Sequence, residues 1–294
     1  MPGATAAMSR RHLVMLLALS AVWGASFLFI KVGVRDYEPS TLVFFRVLLA
    51  ALTLLPIALA VRALTGLPGA WKPLVVMGVL NSAVPFWLLS YGETRVDSGL
   101  AAVIQAAAPI FTVLIAIRYD PSQRATGMRL AGIVLGFVGV ALLVGAQRGG
   151  DVVAALAIVL TALCYAAGAL YGGRRLAHLP PIGMAFGTMV AATVLIAPAA
   201  LLQLPDETPG WKSTASIVVL GVVGTGLAYI FYFAIILGAG ASRAILVTYL
   251  VPAMALLYGA VFLDEAVTAV ALGGLALVLG GVALGTGAVG TVRR

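Results

Sequence analysis

The sequence predicts an all-α membrane protein of ten transmembrane helices, arranged as two inverted five-helix repeats. Three observations carry that prediction. Apolar residues make up 62% of the chain, charged residues only 10%, and mean hydropathy is +1.12, whereas soluble domains carry about 25% charge. Apolar runs of about 20 residues, the length of helix that crosses a bilayer, recur ten times along 294 residues. Sequence landmarks in the first half also return in the second at an almost constant spacing.

The ten runs fall at 12–32, 40–62, 73–92, 98–118, 129–147, 152–172, 181–203, 214–237, 242–263 and 268–288. The breaks between them are short and carry Pro, Gly and charge, as in the segments at 35–40 and 119–127, so no soluble domain fits between spans. The first run follows Arg10 and Arg11 in the manner of a secretory leader. It is about 20 residues long, however, and the chain stays apolar beyond it, so we expect a retained first helix.

Pro109 and Pro252 are 143 residues apart, and Pro56 and Pro198 are 142 apart. Gly132 with Gly274, and Gly139 with Gly281, keep the 142 spacing, and each of Gly139 and Gly281 is followed by Val-Ala-Leu. The halves are expected at 1–147 and 148–294. Five crossings per half is an odd number, so the second copy lies upside down relative to the first. Secondary transporters use this architecture and place substrate near the midplane where the halves meet. With the N-terminus inside, twelve basic residues fall in cytoplasmic segments and five outside, with Arg46 left within the second helix. The positive-inside rule therefore puts both termini in the cytoplasm.

Polar residues within the spans mark the candidate site. A proline in mid-helix orphans the carbonyl four residues earlier, which hydrocarbon does not tolerate unless protein or water supplies a partner. Asn81–Pro85, Gln105–Pro109 and Thr248–Pro252 share a polar residue four before a proline, in helices three, four and nine. Pro109 and Pro252 are expected as hinges. In helix eight, Thr225, Tyr229 and Tyr232 form one stripe. Trp23 and Ser26 in helix one, Tyr165 in helix six and Tyr249 in helix nine complete the expected substrate-lining set. Pro56 and Pro198 follow apolar residues, so helices two and seven are expected as outer supports. Gly132-x₃-Gly136 and Gly281-x₃-Gly285 permit close helix contact, within a scaffold or across a homodimer.

Charged residues near helix ends receive structural readings. Arg46 and Lys31 are expected as tethers that snorkel toward the interface, and Glu93 and Asp97 as solvated loop charges. No Asp, Glu or His falls near the middle of a predicted span, which points to facilitated flux, exchange, or coupling through the edge acids. Cys164 is a packing residue. No phosphate-binding loop, metal-ligand spacing or intramembrane-protease constellation is present, so neither an enzyme nor a cofactor or metal is expected. The net charge of +8 is scattered over loops, against nucleic-acid binding; the expected partners are the lipid bilayer and a small-molecule substrate.

The 5+5 repeat, Trp23-Gly24-Ala25-Ser26-Phe27 followed by Lys31, Phe45-Arg46, and Ser98-Gly99-Leu100-Ala101-Ala102 with Pro109-Ile110-Phe111 resemble the drug/metabolite transporter superfamily, and within it the ten-helix EamA-type exporters. The resemblance covers essentially the whole chain. It implies export of a small metabolite across a bacterial inner membrane, with amino acids, aromatic ones among them, as the first expectation. Drug or nucleoside transport on the same fold and a non-transporting scaffold subunit stay open. The family's acid after helix nine is matched by Glu265; after helix four the corresponding segment offers only Asp120.

Overall fold

The computed structural model describes residues 9–119, 127–147, 150–244 and 246–286. Asp120, Arg124, Arg148, Arg293 and Arg294, which entered the acid and charge comparisons above, lie outside them. Among the described residues the secondary structure is entirely helical. Helix α1 is Arg10–Gly33, started by the Ser9 hydroxyl accepting from the His12 N–H, and α2 is Pro39–Ala60 with Pro56 inside it. Helix α3 comprises Trp71–Gly78, a π-helical turn Val79–Ala83 and Val84–Glu93. Helix α4 is split into Ser98–Gln105 and Ala108–Tyr119. Helices α5 (Met128–Gly145), α6 (Gly150–Arg175) and α7 (Pro181–Leu201, with Pro198 inside it) follow. Helix α8 comprises Trp211–Gly221, a π-helical turn Val222–Leu227 and Ala228–Ala239. A single turn, Ala241–Ala244, precedes α9 (Val247–Phe262), and α10 is Ala269–Gly285.

The two-repeat architecture is visible in which helices touch. Helix α1 packs on α9 and α6 on α4; α3 packs on α6 and α8 on α1; α2 packs on α8 and α7 on α3. Each pair becomes its mate when every helix is exchanged for the one five places away. Three pairs map onto themselves: α2 with α7, α4 with α9, and α5 with α10. The last pair depends on glycine. A Cβ on Gly281 would sit 2.5 Å from Gly136 N and 2.7 Å from Gly132 O, so only hydrogen lets the two backbones approach this closely. The small-residue faces of α5 and α10 are thus spent on each other within the chain.

Local geometry departs from the sequence reading in two places. Helix α4 does break ahead of Pro109: Ala106 N–H still reaches Ala102 O, but Ala107 N–H turns to Ile104 O and the ladder restarts with Ile110 N–H on Ala107 O. Pro252, by contrast, lies inside α9, whose helix runs unbroken from Val247 to Phe262. The π turns of α3 and α8 occupy equivalent levels of the two repeats. In α3 the widened turn directly precedes Pro85, where a missing N–H shifts the register. The α8 segment Val-Val-Gly-Thr-Gly-Leu has no proline, and Ala228 N–H reaches back five residues to Val223 O.

The main core joins both halves, with Ile30, Leu42, Val47, Leu54, Ile104 and Leu220 fully or almost fully buried. Trp71 and Trp211, at helix starts, are largely exposed, as interfacial residues are.

Candidate substrate site

The polar residues of the interior converge where α2, α3, α6 and α8 meet. Thr225 stands in the π turn of α8, and its hydroxyl donates back to Leu220 O at 2.9 Å. The same oxygen accepts from Arg46 Nε at 3.0 Å, across from α2. Phe86 of α3 lies flat under the guanidinium, its ring centre 3.6 Å from Cζ, a cation–π contact strengthened by exclusion of water. One turn along, Asn81 Nδ2 in the π turn of α3 donates to the Tyr229 hydroxyl at 3.3 Å. A Cβ added at Gly168 of α6 would stand 3.5 Å from Asn81, and Tyr165 of α6 is in electrostatic reach of Arg46.

The snorkelling expected of Arg46 is not observed. Its depth along α2 suits snorkelling, but its azimuth aims it at the seam between the repeats, where it is 6% exposed. Helix α2 is therefore more than an outer support. Glu93 is likewise no solvated loop charge: it is 0% exposed, and neither carboxylate oxygen has a hydrogen-bond partner. It interacts electrostatically with Lys31, Glu265 and Arg46. Lys31 is the tether its position suggested, its ammonium donating to Glu93 O and Val96 O at 2.8 Å each and so closing the C-terminal end of α3.

The remaining candidates divide between two neighbouring regions. Trp23 and Tyr232 pair with ring centres 5.2 Å apart in a second cluster with Leu16, Leu19 and Ile235. Ser26, adjoining Gly224 of the α8 π turn, donates to Val22 O at 3.1 Å, so its hydroxyl serves its own helix. Gln105, Thr248, Tyr249, Pro109 and Pro252 lie on the α4–α9 pair. Gln105 Oε1 is buried there without a partner. Pro85 is buried beside the π turn and its carbonyl accepts from Thr161 Oγ1 at 3.2 Å. Arg46, Phe86 and Glu93 are the interior residues that spacing along the chain did not select.

Glu265 takes a structural position. Asp264 adopts a left-handed conformation with φ of 57°, which turns the chain back after α9. The Glu265 carboxylate then accepts from Ser98 N–H at 2.8 Å, Ser98 Oγ at 2.8 Å and Gly99 N–H at 3.1 Å, capping α4 from outside. Nearby, partial desolvation pushes the Asp97 carboxyl up from its ordinary range, the Glu265 carboxylate adds to the rise and Lys31 opposes it. A cleft of about 270 Å³ opens at this end, bordered by Asp97, Gly99, Gln147, Glu265 and Thr268. Among the described residues no cluster of His, Cys, Asp and Glu is arranged to hold a metal.

Comparison with known proteins adds the following. The model of the EamA-like transporter family matches the chain twice, over residues 11–145 and 152–286. The "Uncharacterized inner membrane transporter YedA" of Escherichia coli (strain K12) is 28% identical, covering 83% of this chain and 80% of its own. The "Probable amino-acid metabolite efflux pump" of Salmonella typhimurium (strain LT2) is 27% identical over 92% of this chain and 93% of its own. An "Uncharacterized transporter" of Archaeoglobus fulgidus is 27% identical over 90% and 95%. A solved structure titled only "Crystal structure of protein" superposes with a TM-score of 0.67 at 19% identity, covering 98% of this chain and 100% of that one, a likeness of fold.

Proposed function

The chain belongs to the EamA-like transporter family, and from that premise we propose that it is a secondary transporter of the bacterial inner membrane that exports small metabolites, amino acids first among them, by alternating access. The observation that carries the proposal is the polar cluster of buried Arg46 and Thr225 with half-buried Asn81 and Tyr229, built from helices of both repeats. Polar and charged groups are costly at membrane depth, and a set of them facing the seam between repeats marks a substrate path. Full-length likeness to relatives named amino-acid metabolite efflux pumps supports amino acids over other solutes.

In this mechanism the halves, 1–147 and 148–294, rock against one another about the α4–α9 crossing. The break in α4 at 106–107 and the π turns of α3 and α8 supply the bending points. Asn81, Gln105, Tyr165, Thr225, Tyr229 and Thr248 line the path, with Trp23, Ser26, Tyr232 and Tyr249 at its margins, and the tyrosines favour an aromatic substrate. Both termini face the cytoplasm.

The test is efflux from proteoliposomes preloaded with amino acids, nucleosides or cationic drugs, with and without a pH gradient. Saturable, protein-dependent amino-acid flux is expected. Flux confined to drugs or nucleosides, or to no solute at all, contradicts the proposal.

A further inference from the structure

Resting on the transport reading above, we propose that Arg46 binds a carboxylate of the transported molecule, which makes the substrate class anionic or zwitterionic rather than cationic. The guanidinium is held by two contacts, Nε on the Thr225 hydroxyl at 3.0 Å and the Phe86 ring centre 3.6 Å from Cζ. Its Nη1 is buried and has no hydrogen-bond partner. A buried charged donor without an acceptor is among the costliest arrangements in a protein interior. Among the described residues no acid hydrogen-bonds to it: Glu93 acts on Arg46 electrostatically, but both of its oxygens are themselves without hydrogen-bond partners.

The unfilled end of a planar guanidinium fits a planar two-oxygen anion. One carboxylate oxygen would accept from Nη1. The other falls to the hydroxyl groups of the same cluster, Tyr165 or Tyr229; the Tyr229 hydroxyl receives a hydrogen bond from Asn81 and keeps its own proton to donate onward. Because Arg46, Asn81 and Phe86 belong to one repeat and Tyr165, Thr225 and Tyr229 to the other, an anion seated here touches both. Its arrival is thereby felt by the two bodies that must rock. A purely structural Arg46, locking the repeats together, would leave no donor over.

The experiment uses the full chain in proteoliposomes and matched probes: L-phenylalanine, L-leucine and L-threonine, the methyl ester of each, and the corresponding decarboxylated amines. Wild type is expected to favour the acid over ester and amine by about 10-fold or more, the worth of hydrogen bonds to a charged group. Arg46→Gln should erase that preference, and Arg46→Lys should keep part of it, since it retains charge without the fork. Thr225→Val, which releases Nε alone, should lower it by a few-fold. Monodispersity in detergent verifies folding; should Arg46→Gln fail to fold, unchanged acid-to-ester ratios in both Arg46→Lys and Thr225→Val overturn the proposal. Acid flux with an unchanged ratio in folded Arg46→Gln overturns the carboxylate anchor while leaving amino-acid export standing. Wild type moving only amines overturns both. If no amino acid moves, acetate, benzoate and succinate are tested. Arg46-dependent flux of one of these keeps the anchor and removes the amino-acid reading, and no carboxylate flux removes both.

Discussion

Removing the Glu265 carboxylate should unpin the start of α4. That helix has no cap of its own, for Asp97 stands at its N-cap position without a side-chain hydrogen bond to the helix. Glu265 replaces it with three hydrogen bonds onto Ser98 and Gly99, and Ser98 is fully buried. An N-cap is worth about 0.5–2 kcal/mol, and a hydrogen bond to a charged group about 1.5–3 kcal/mol. Since Glu265→Ala leaves several donors without partners, we expect a loss of about 2–4 kcal/mol and a fall in melting midpoint on the order of 5–10 °C. Glu265→Gln retains one acceptor oxygen and should lose about half as much. Gly259 supplies an independent handle, because a Cβ there would collide with the Glu265 carboxylate. Gly259→Ala should therefore destabilise the wild type by displacing the cap, yet cost less in the Glu265→Ala background, where only the Ser98 hydroxyl, 3.1 Å from the added Cβ, has to give. Thermal unfolding in detergent, followed by the loss of the monodisperse peak, measures all five proteins. Additive effects in the double variant, or a Glu265→Ala protein that melts with wild type, would refute the capping role.

Three further outcomes are expected. Gln105→Ala deletes a buried oxygen that has no partner, so stability should hold or rise while flux falls by several-fold; reduced stability with intact flux would mark Gln105 as structural. Tyr229→Phe removes the acceptor of Asn81 and should lower flux by about 5-fold, roughly 1 kcal/mol, with membrane expression unchanged. Gly281→Ala forces a methyl against the backbone of Gly132 and Gly136 and should destabilise by about 1–3 kcal/mol, whereas Gly273→Ala, with open space around it, should be silent in the same melting assay.

The architecture was readable because its signals are one-dimensional. Span length and the 142–143 spacing of prolines and glycines survive projection onto the sequence. Azimuth does not. Arg46 lies near enough to a helix end to snorkel, and only the packing of α2 against α7 and α8 turns it inward. Glu93 was placed in a loop because it ends α3, but Lys31 folds over that end, takes its carbonyls and shuts out water. The proline rule identified the break in α4 and the π turn of α3, where a missing N–H disturbs the ladder, and had nothing to say of α8, whose π turn contains no proline. There the repeat itself held the signal: Val79–Ala83 advanced by 143 residues falls on the π turn beginning at Val222. The widened turn rotates Tyr229 and Tyr232 relative to Thr225; Thr225 meets Arg46, Tyr229 meets Asn81 and Tyr232 meets Trp23.

Whether the interior opens to both sides of the membrane is decided most directly by cysteine accessibility. Cys164 is the sole cysteine, so a Cys164→Ser background permits single cysteines at Gln105 and Tyr229 to be probed with a membrane-impermeant maleimide added to one face of oriented vesicles at a time. Modification of both positions from either face, slowed by a transported amino acid, is the expected result. Positions that react from neither face, or only with a lipid-soluble reagent, would contradict alternating access through this seam.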